Sequence, residues 1–279
     1  MFEIPVGLGG VLAFVLGASV GSFVNVVAYR LPREISIVRP RSFCPSCKRP
    51  IPRWANIPIV AYVALRGRCI MCGAAIPFRY FLAEAALACA ALYLYLNFPL
   101  WNALARFVLC AALFAAALVD YDWRLIPNMI TIPGMPIGFL AASLAITEVG
   151  WKSSLLGIAL GAGLLFVTGE LYRLVRRREG VGLGDVWLLG MIGGFLGWAG
   201  VLFTLFFGSV LGSVGGLTVA LMKPRSKASM AEAAAGGEPE QADTSVLTTA
   251  VPFGPFLALA AGTFALFQPR LIDWYLGGR

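Results

Sequence analysis

The 279-residue sequence contains no histidine. That absence excludes Ser-His-Asp and Cys-His nucleophilic catalysis and every histidine-based metal site. Acid–base chemistry is left to Asp, Glu, Lys, Tyr or Cys. Charge is scarce as well. Only 13% of the residues are charged, about half the share of a soluble domain. Hydrophobic residues make up 59% and the mean hydropathy is +0.82. A water-soluble fold cannot hide that much apolar surface, so the lipid bilayer is the expected solvent. No basic residue precedes the first apolar run, which starts just after Glu3 and is longer than the core of a secretory signal. The first segment is therefore expected to be a retained helix with its N-terminus outside. The net charge of +8 would invite a nucleic-acid partner. The basic residues sit between apolar runs, however, where they act as topology signals, and no nucleic-acid partner is expected.

A membrane-spanning helix needs roughly 20 mostly apolar residues. Segments of that kind fall at about 6–28, 80–97, 101–119, 129–147, 153–172, 185–198, 199–222 and 249–267. The sixth is short and Gly-rich, and its boundary with the seventh is undefined. The expected architecture is an all-α polytopic membrane protein of about eight transmembrane helices. A small cytoplasmic zinc-ribbon-like domain is inserted after the first helix. The expected divisions are a first helix at 1–30, a cytoplasmic cysteine domain at 31–79 and a helical membrane domain at 80–279. Within the last, 173–184 is a basic, Gly-rich loop. Residues 223–248 are rich in Ala, Gly, Ser and Glu, a composition expected to form a flexible cytoplasmic loop. With the N-terminus outside, the segments 30–79, 120–128, 173–184 and 223–248 face the cytoplasm and carry 18 of the 22 Lys and Arg. That bias supports the orientation. No long internal repeat is present.

Two C-x-x-C pairs, Cys44/Cys47 and Cys69/Cys72, are separated by 21 residues. Each such knuckle turns two thiolates toward one point, and two knuckles suit tetrahedral Zn²⁺. In a reducing cytoplasm a metal is the expected occupant rather than disulfides. Four thiolates leave no open position for water, so the site is read as structural rather than catalytic. A redox role and unliganded thiols are the competing readings. Cys89 and Cys110 fall in apolar helices, where free Cys serves packing.

A carboxylate deep in a spanning helix costs roughly 2.5–3.5 kcal/mol even on mild insertion scales, which makes it a functional candidate. Asp120 ends the third span and Asp185 begins the sixth. By topology both lie at the same depth on the cytoplasmic side. Two carboxylates about 4 Å apart repel by about 4 kcal/mol at an effective dielectric near 20, enough to keep one proton on the pair. The ionised partner can activate water while the protonated one polarises a scissile carbonyl. Gly180, Gly182 and Gly184 precede Asp185 and permit close approach of a substrate strand. The plain alternatives are Asp120 or Asp122 facing water near Arg124, and Asp185 as a helix N-cap. Asp122 also competes with Asp120 for the functional role. Glu84 lies inside a span too, where it either pairs with Arg79 or lines a cofactor pocket; pairing is the expected role.

Five ordered blocks resemble the bifunctional type IV prepilin peptidases, a GxGD intramembrane aspartyl protease family also known as prepilin leader peptidase/N-methyltransferases. They are GASVGSFVNVVAYRLP, the cysteine region from Cys44 to Glu84, VDYDWRLIPNMITIP, EGVGLGDVWLLGMIGGFLGW and VPFGPFLALAAG. The resemblance implies that Asp120 and Asp185 are the catalytic pair, since Asp120 stands six residues before Ile126-Pro127 as in the family. It implies zinc at Cys44, Cys47, Cys69 and Cys72. It implies cleavage of a short basic leader from prepilins or pseudopilins at the cytoplasmic face of a bacterial inner membrane. N-methylation from S-adenosylmethionine is expected to follow. Trp187 stands where the family often has Lys, and Asn128 where it often has Asp. The competing functions are a presenilin-like protease of other membrane substrates and a non-enzymatic assembly factor or transporter. In the last case the aspartates would form a proton or cation site.

Overall fold

A computed structural model describes residues 5–176, 182–222 and 252–275. Among them the chain is helical and has no strand beyond two isolated β-bridges. The helices are α1 (Val6–Arg30), the short α2 (Val60–Ala64), α3 (Phe78–Asn97), α4 (Leu100–Trp123), α5 (Asn128–Ser143), α6 (Trp151–Arg176), α7 (Leu183–Met222) and α8 (Gly254–Tyr275). Among the described residues, five stretches are long and apolar enough to cross a membrane: Val6–Arg33, Phe78–Asn97, Leu100–Trp123, Trp151–Arg176 and Leu183–Thr218. The chain is thus a multi-pass membrane protein. α5, with 16 residues and internal Pro133 and Pro136, and the apolar stretch Gly254–Gln268 of α8 are shorter. The expected loop at 223–248 lies outside the described residues.

α7 has 40 residues. A straight helix of that length would measure about 60 Å, twice the hydrocarbon thickness of a bilayer. It is broken at Gly197, whose φ of 69° and ψ of −173° belong to a region open essentially to glycine alone. The break separates 183–196 from 198–222, close to the boundary that the sequence left undefined.

The first half of α7 is the centre of the bundle. Leu188, Leu189, Met191 and Ile192 are fully buried there, with α5 and α6 packed against it, while α8 meets α7 beyond the break. In lipid, apolar surface gives helices no drive to associate, so close contact depends on small residues. Glycines four apart supply it on three helices. A Cβ on Gly17 or Gly21 of α1 would lie 2.5 Å from the Leu87 carbonyl oxygen or 2.6 Å from the Glu84 Cα of α3. Gly138 of α5 meets Phe195, with Gly134 against Met191, and Gly157 and Gly161 of α6 meet the α7 backbone. The Ser154 hydroxyl adds a 2.7 Å bond to the Gly194 carbonyl. α4 packs on α8, α3 and α1 and so joins the two halves. Cys110 lies in the core as expected, whereas Cys89 is on the exposed face of α3.

Candidate active site and metal centre

Asp120 lies in the last turn of α4. The helix stops there because Arg124 adopts a left-handed conformation (φ 53°) and returns its N–H to the Asp120 carbonyl at 2.8 Å. The Asp120 side chain is only 6% exposed. Its Oδ2 accepts the Gly254 N–H at 3.0 Å, from the first residue of α8. A Cβ on Gly254 would sit 2.6 Å from that oxygen, so no other residue fits there without moving the carboxylate.

Asp185 lies in the first turn of α7 and is half-buried. It is the third residue of the helix rather than its N-cap, and its N–H goes to the Gly182 carbonyl at 3.1 Å. Gly184 brings the two regions together. A Cβ on it would lie 2.8 Å from the Ile126 Cβ, so the turn after Asp120 rests directly on the residue before Asp185. That contact brings the segments that carry the two carboxylates together. Such an arrangement can share a proton and act as an acid–base pair on one bond.

Asp122 points elsewhere. It is ion-paired to Arg79 of α3, with Nη1 at 2.6 and 2.8 Å from its two oxygens. Asp120, by contrast, turns toward α8. The Arg79–Asp122 pair corrects the expected Glu84–Arg79 pairing. Arg79 is committed to Asp122, and Glu84 instead accepts the Ile59 N–H at 2.7 Å.

The four sulfurs of Cys44, Cys47, Cys69 and Cys72 lie within 4.8 Å of one another. Cys44 and Cys72 are 3.9 Å apart, against about 3.8 Å between thiolates bound tetrahedrally to zinc at 2.3 Å. The residues therefore fit a closed zinc site. The two knuckles share one local design. Phe43 bridges Pro50 as Arg68 bridges Ala75, and a left-handed residue, Lys48 or Gly73, follows each at the same offset. The Cys47 N–H, joined by that of Ser46, points at the Cys44 sulfur and pulls its thiol down to about 6 against the effect of burial.

The Bacterial Peptidase A24 N-terminal domain matches residues 15–98, and the Type IV leader peptidase family matches residues 107–217. A prepilin leader peptidase/N-methyltransferase of Burkholderia pseudomallei is 34% identical, covering 99% of this chain and 90% of its own. Proteins of the same name from Pseudomonas aeruginosa and Myxococcus xanthus are 33% and 31% identical, each over 95% of this chain and 94% and 92% of their own.

The chain belongs to the type IV leader peptidase family. No solved structure matches it. In this family member the two matched regions meet where α4 contacts α3 and α1. Of the residues singled out in the sequence, Asp120, Asp185 and Gly184 come together at one end of the bundle, with Gly182 placed 3.6 Å from Asp185 Oδ2 by its would-be Cβ. Gly180 lies outside the described residues. Gly254 was missed as a site residue. Its signal is a Gly-Pro pair opening an apolar run, which marks a helix start but cannot reveal which carboxylate the helix end meets.

Proposed function

We propose that this chain cleaves the leader from type IV prepilins or pseudopilins and then N-methylates the new N-terminal residue. Its matches to proteins bearing both activities in their name run along nearly the whole chain. Asp120 and Asp185 are the catalytic carboxylates in this reading. The observation that carries it is their convergence from α4 and α7 onto one end of the bundle through the Gly184–Ile126 contact. One carboxylate takes a proton from water as it attacks the scissile carbonyl; the other, protonated, donates to the carbonyl oxygen. Gly254 holds Asp120 through Oδ2. The substrate's apolar helix lies in lipid beside the bundle, and its basic leader stays at the cytoplasmic surface. Cleavage then needs only shallow water access.

The same reading places the protein in a bacterial inner membrane with eight spans, counting the two halves of α7 separately, and with the active site facing the cytoplasm. Zinc held by Cys44, Cys47, Cys69 and Cys72 cross-links residues 31–79, a segment too small for a core of its own. S-adenosylmethionine is the methyl donor; when bound it supplies an electrophilic methyl group to the freed amine, which gives up a proton. A presenilin-like protease of other substrates would have no use for the cysteine cluster, and an ion transporter would have no use for a leader.

Co-expression with a prepilin, followed by mass spectrometry of the pilin N-terminus, tests the proposal. The expected product is shortened by its leader and one methyl group heavier than the bare mature chain. A prepilin left intact by a correctly inserted enzyme would refute the peptidase assignment, and a shortened but unmethylated pilin would refute the methyltransferase one.

A further inference from the structure

A cavity of about 430 Å³ lies between the inner ends of α1 and α3 and the cysteine knuckles, within the size range of small-molecule sites. Its wall includes Ser22 and Tyr29 of α1, Phe43 of the first knuckle, and Tyr80 and Glu84 of α3.

Three observations mark this as more than a packing gap. Glu84 sits seven residues into a spanning helix, and among the described residues it has no ion-pair partner. The cation nearest in sequence, Arg79, is held by Asp122. A half-buried carboxylate without a cation is costly and calls for a complement. Next, the backbone is bent to serve that carboxylate. Ile59 donates its N–H to Glu84 Oε2 from a φ of 63°, a conformation that β-branched residues almost never adopt. Such strain persists at ligand sites, where surrounding structure over-determines it. Finally, the position of Glu84 is set rigidly by the α1 seam, where Gly21 lies against its Cα.

We infer that this cavity is the methyl-donor site, with Glu84 facing the positive charge of S-adenosylmethionine. The inference rests on the methyltransferase half of the proposed function. A carboxylate complements the donor's sulfonium and ammonium, and the arginines of the wall complement its carboxylate. The location suits the order of the two reactions. Arg79 and Arg33 belong to the cavity wall. Arg79 grips Asp122, and Arg33 lies 4.9 Å over the Trp123 ring. The cavity therefore abuts the segment immediately after Asp120, where the new amine would be released.

The test is calorimetric titration of S-adenosylmethionine into the full-length enzyme in detergent micelles, native and Glu84→Gln, with leader cleavage assayed on the same samples to report folding. The expected result is binding to the native chain that weakens about tenfold or more in Glu84→Gln, the loss typical of a charge-assisted contact. Equal affinity in a Glu84→Gln enzyme that still cleaves leaders would overturn the site while leaving the methyltransferase reading intact. A native enzyme that cleaves leaders but binds no donor would overturn both. Ultraviolet cross-linking of radiolabelled S-adenosylmethionine to the native chain decides the matter even where the variant does not fold. Label on peptides spanning 22–33, 43–62 or 79–84 supports the site, and label confined to α5–α8 overturns it.

Discussion

Arg79 of α3 grips both oxygens of Asp122, with its Nη1 at 2.6 and 2.8 Å, while the neighbouring Asp120 is held from α8 by the Gly254 N–H. Residues two apart on a helix point about 200° away from each other. Asp122 accordingly faces α3 and Asp120 faces α8.

The two aspartates of this segment should therefore behave differently when changed. Asp120→Asn removes an acid–base group and should lower leader cleavage by about 10²–10⁴-fold. Asp122→Asn breaks an ion pair whose side chains are 40% and 24% exposed. Exposed pairs contribute about 0–1 kcal/mol, so cleavage should stay within a few-fold of native. Initial rates on a purified prepilin distinguish the two; the opposite pattern would transfer the catalytic role to Asp122.

Gly254→Ala probes the orientation of Asp120. The added Cβ would lie 2.6 Å from Oδ2 and displaces the carboxylate from the N–H that holds it. Hydrogen bonds to charged groups contribute about 1.5–3 kcal/mol, so kcat should fall about 10–100-fold. KM should change little, because Gly254 acts through Asp120. A change in KM alone would place Gly254 in substrate binding instead.

At the break in α7, Gly197→Ala should destabilise the bundle. Alanine resists a φ of 69° with ψ of −173°, and its Cβ would lie 3.0 Å from Val149 Cγ1 and crowd Ser153. A cost of about 1–3 kcal/mol should appear as a lower thermal midpoint by circular dichroism in detergent. An unchanged midpoint would mean that the break is not strained.

Elemental analysis of the purified protein should find one zinc per chain. Chelation, or Cys44→Ser, opens a cluster in which Cys44 lies 3.9 Å from Cys72. The knuckles form part of the cavity wall, so methylation should be lost. Helix content should persist, because the α1–α3 and α5–α7 seams do not involve the cysteines. Full methylation by metal-free enzyme would separate the cluster from the transfer step.

Periodic and compositional signals were legible in advance. Apolar runs located the helices because an unsatisfied backbone polar group cannot remain in hydrocarbon. The two C-x-x-C pairs announced a shared point because knuckle geometry is local, and the sulfurs do converge. What misled was partner choice. The charges of Glu84 and Arg79, five residues apart in one helix, read as a pair, but Asp122 from another helix reaches the arginine first. The short α2 and the strained Ile59 left no sequence mark, since β-branched residues predict the opposite conformation.

The amino-acid sequence alone determined that this protein lives in a bilayer, that its carboxylates are few enough to matter, and that four thiols form one cluster. These follow from solvent and from local geometry, which each segment carries with it. Only the tertiary structure decided that Asp122 pairs with Arg79, that the N–H of Gly254 holds Asp120, and that Glu84 opens onto a cavity. Those outcomes depend on which helices touch, and glycine seams between segments distant in the chain fix that contact through packing that no single segment encodes.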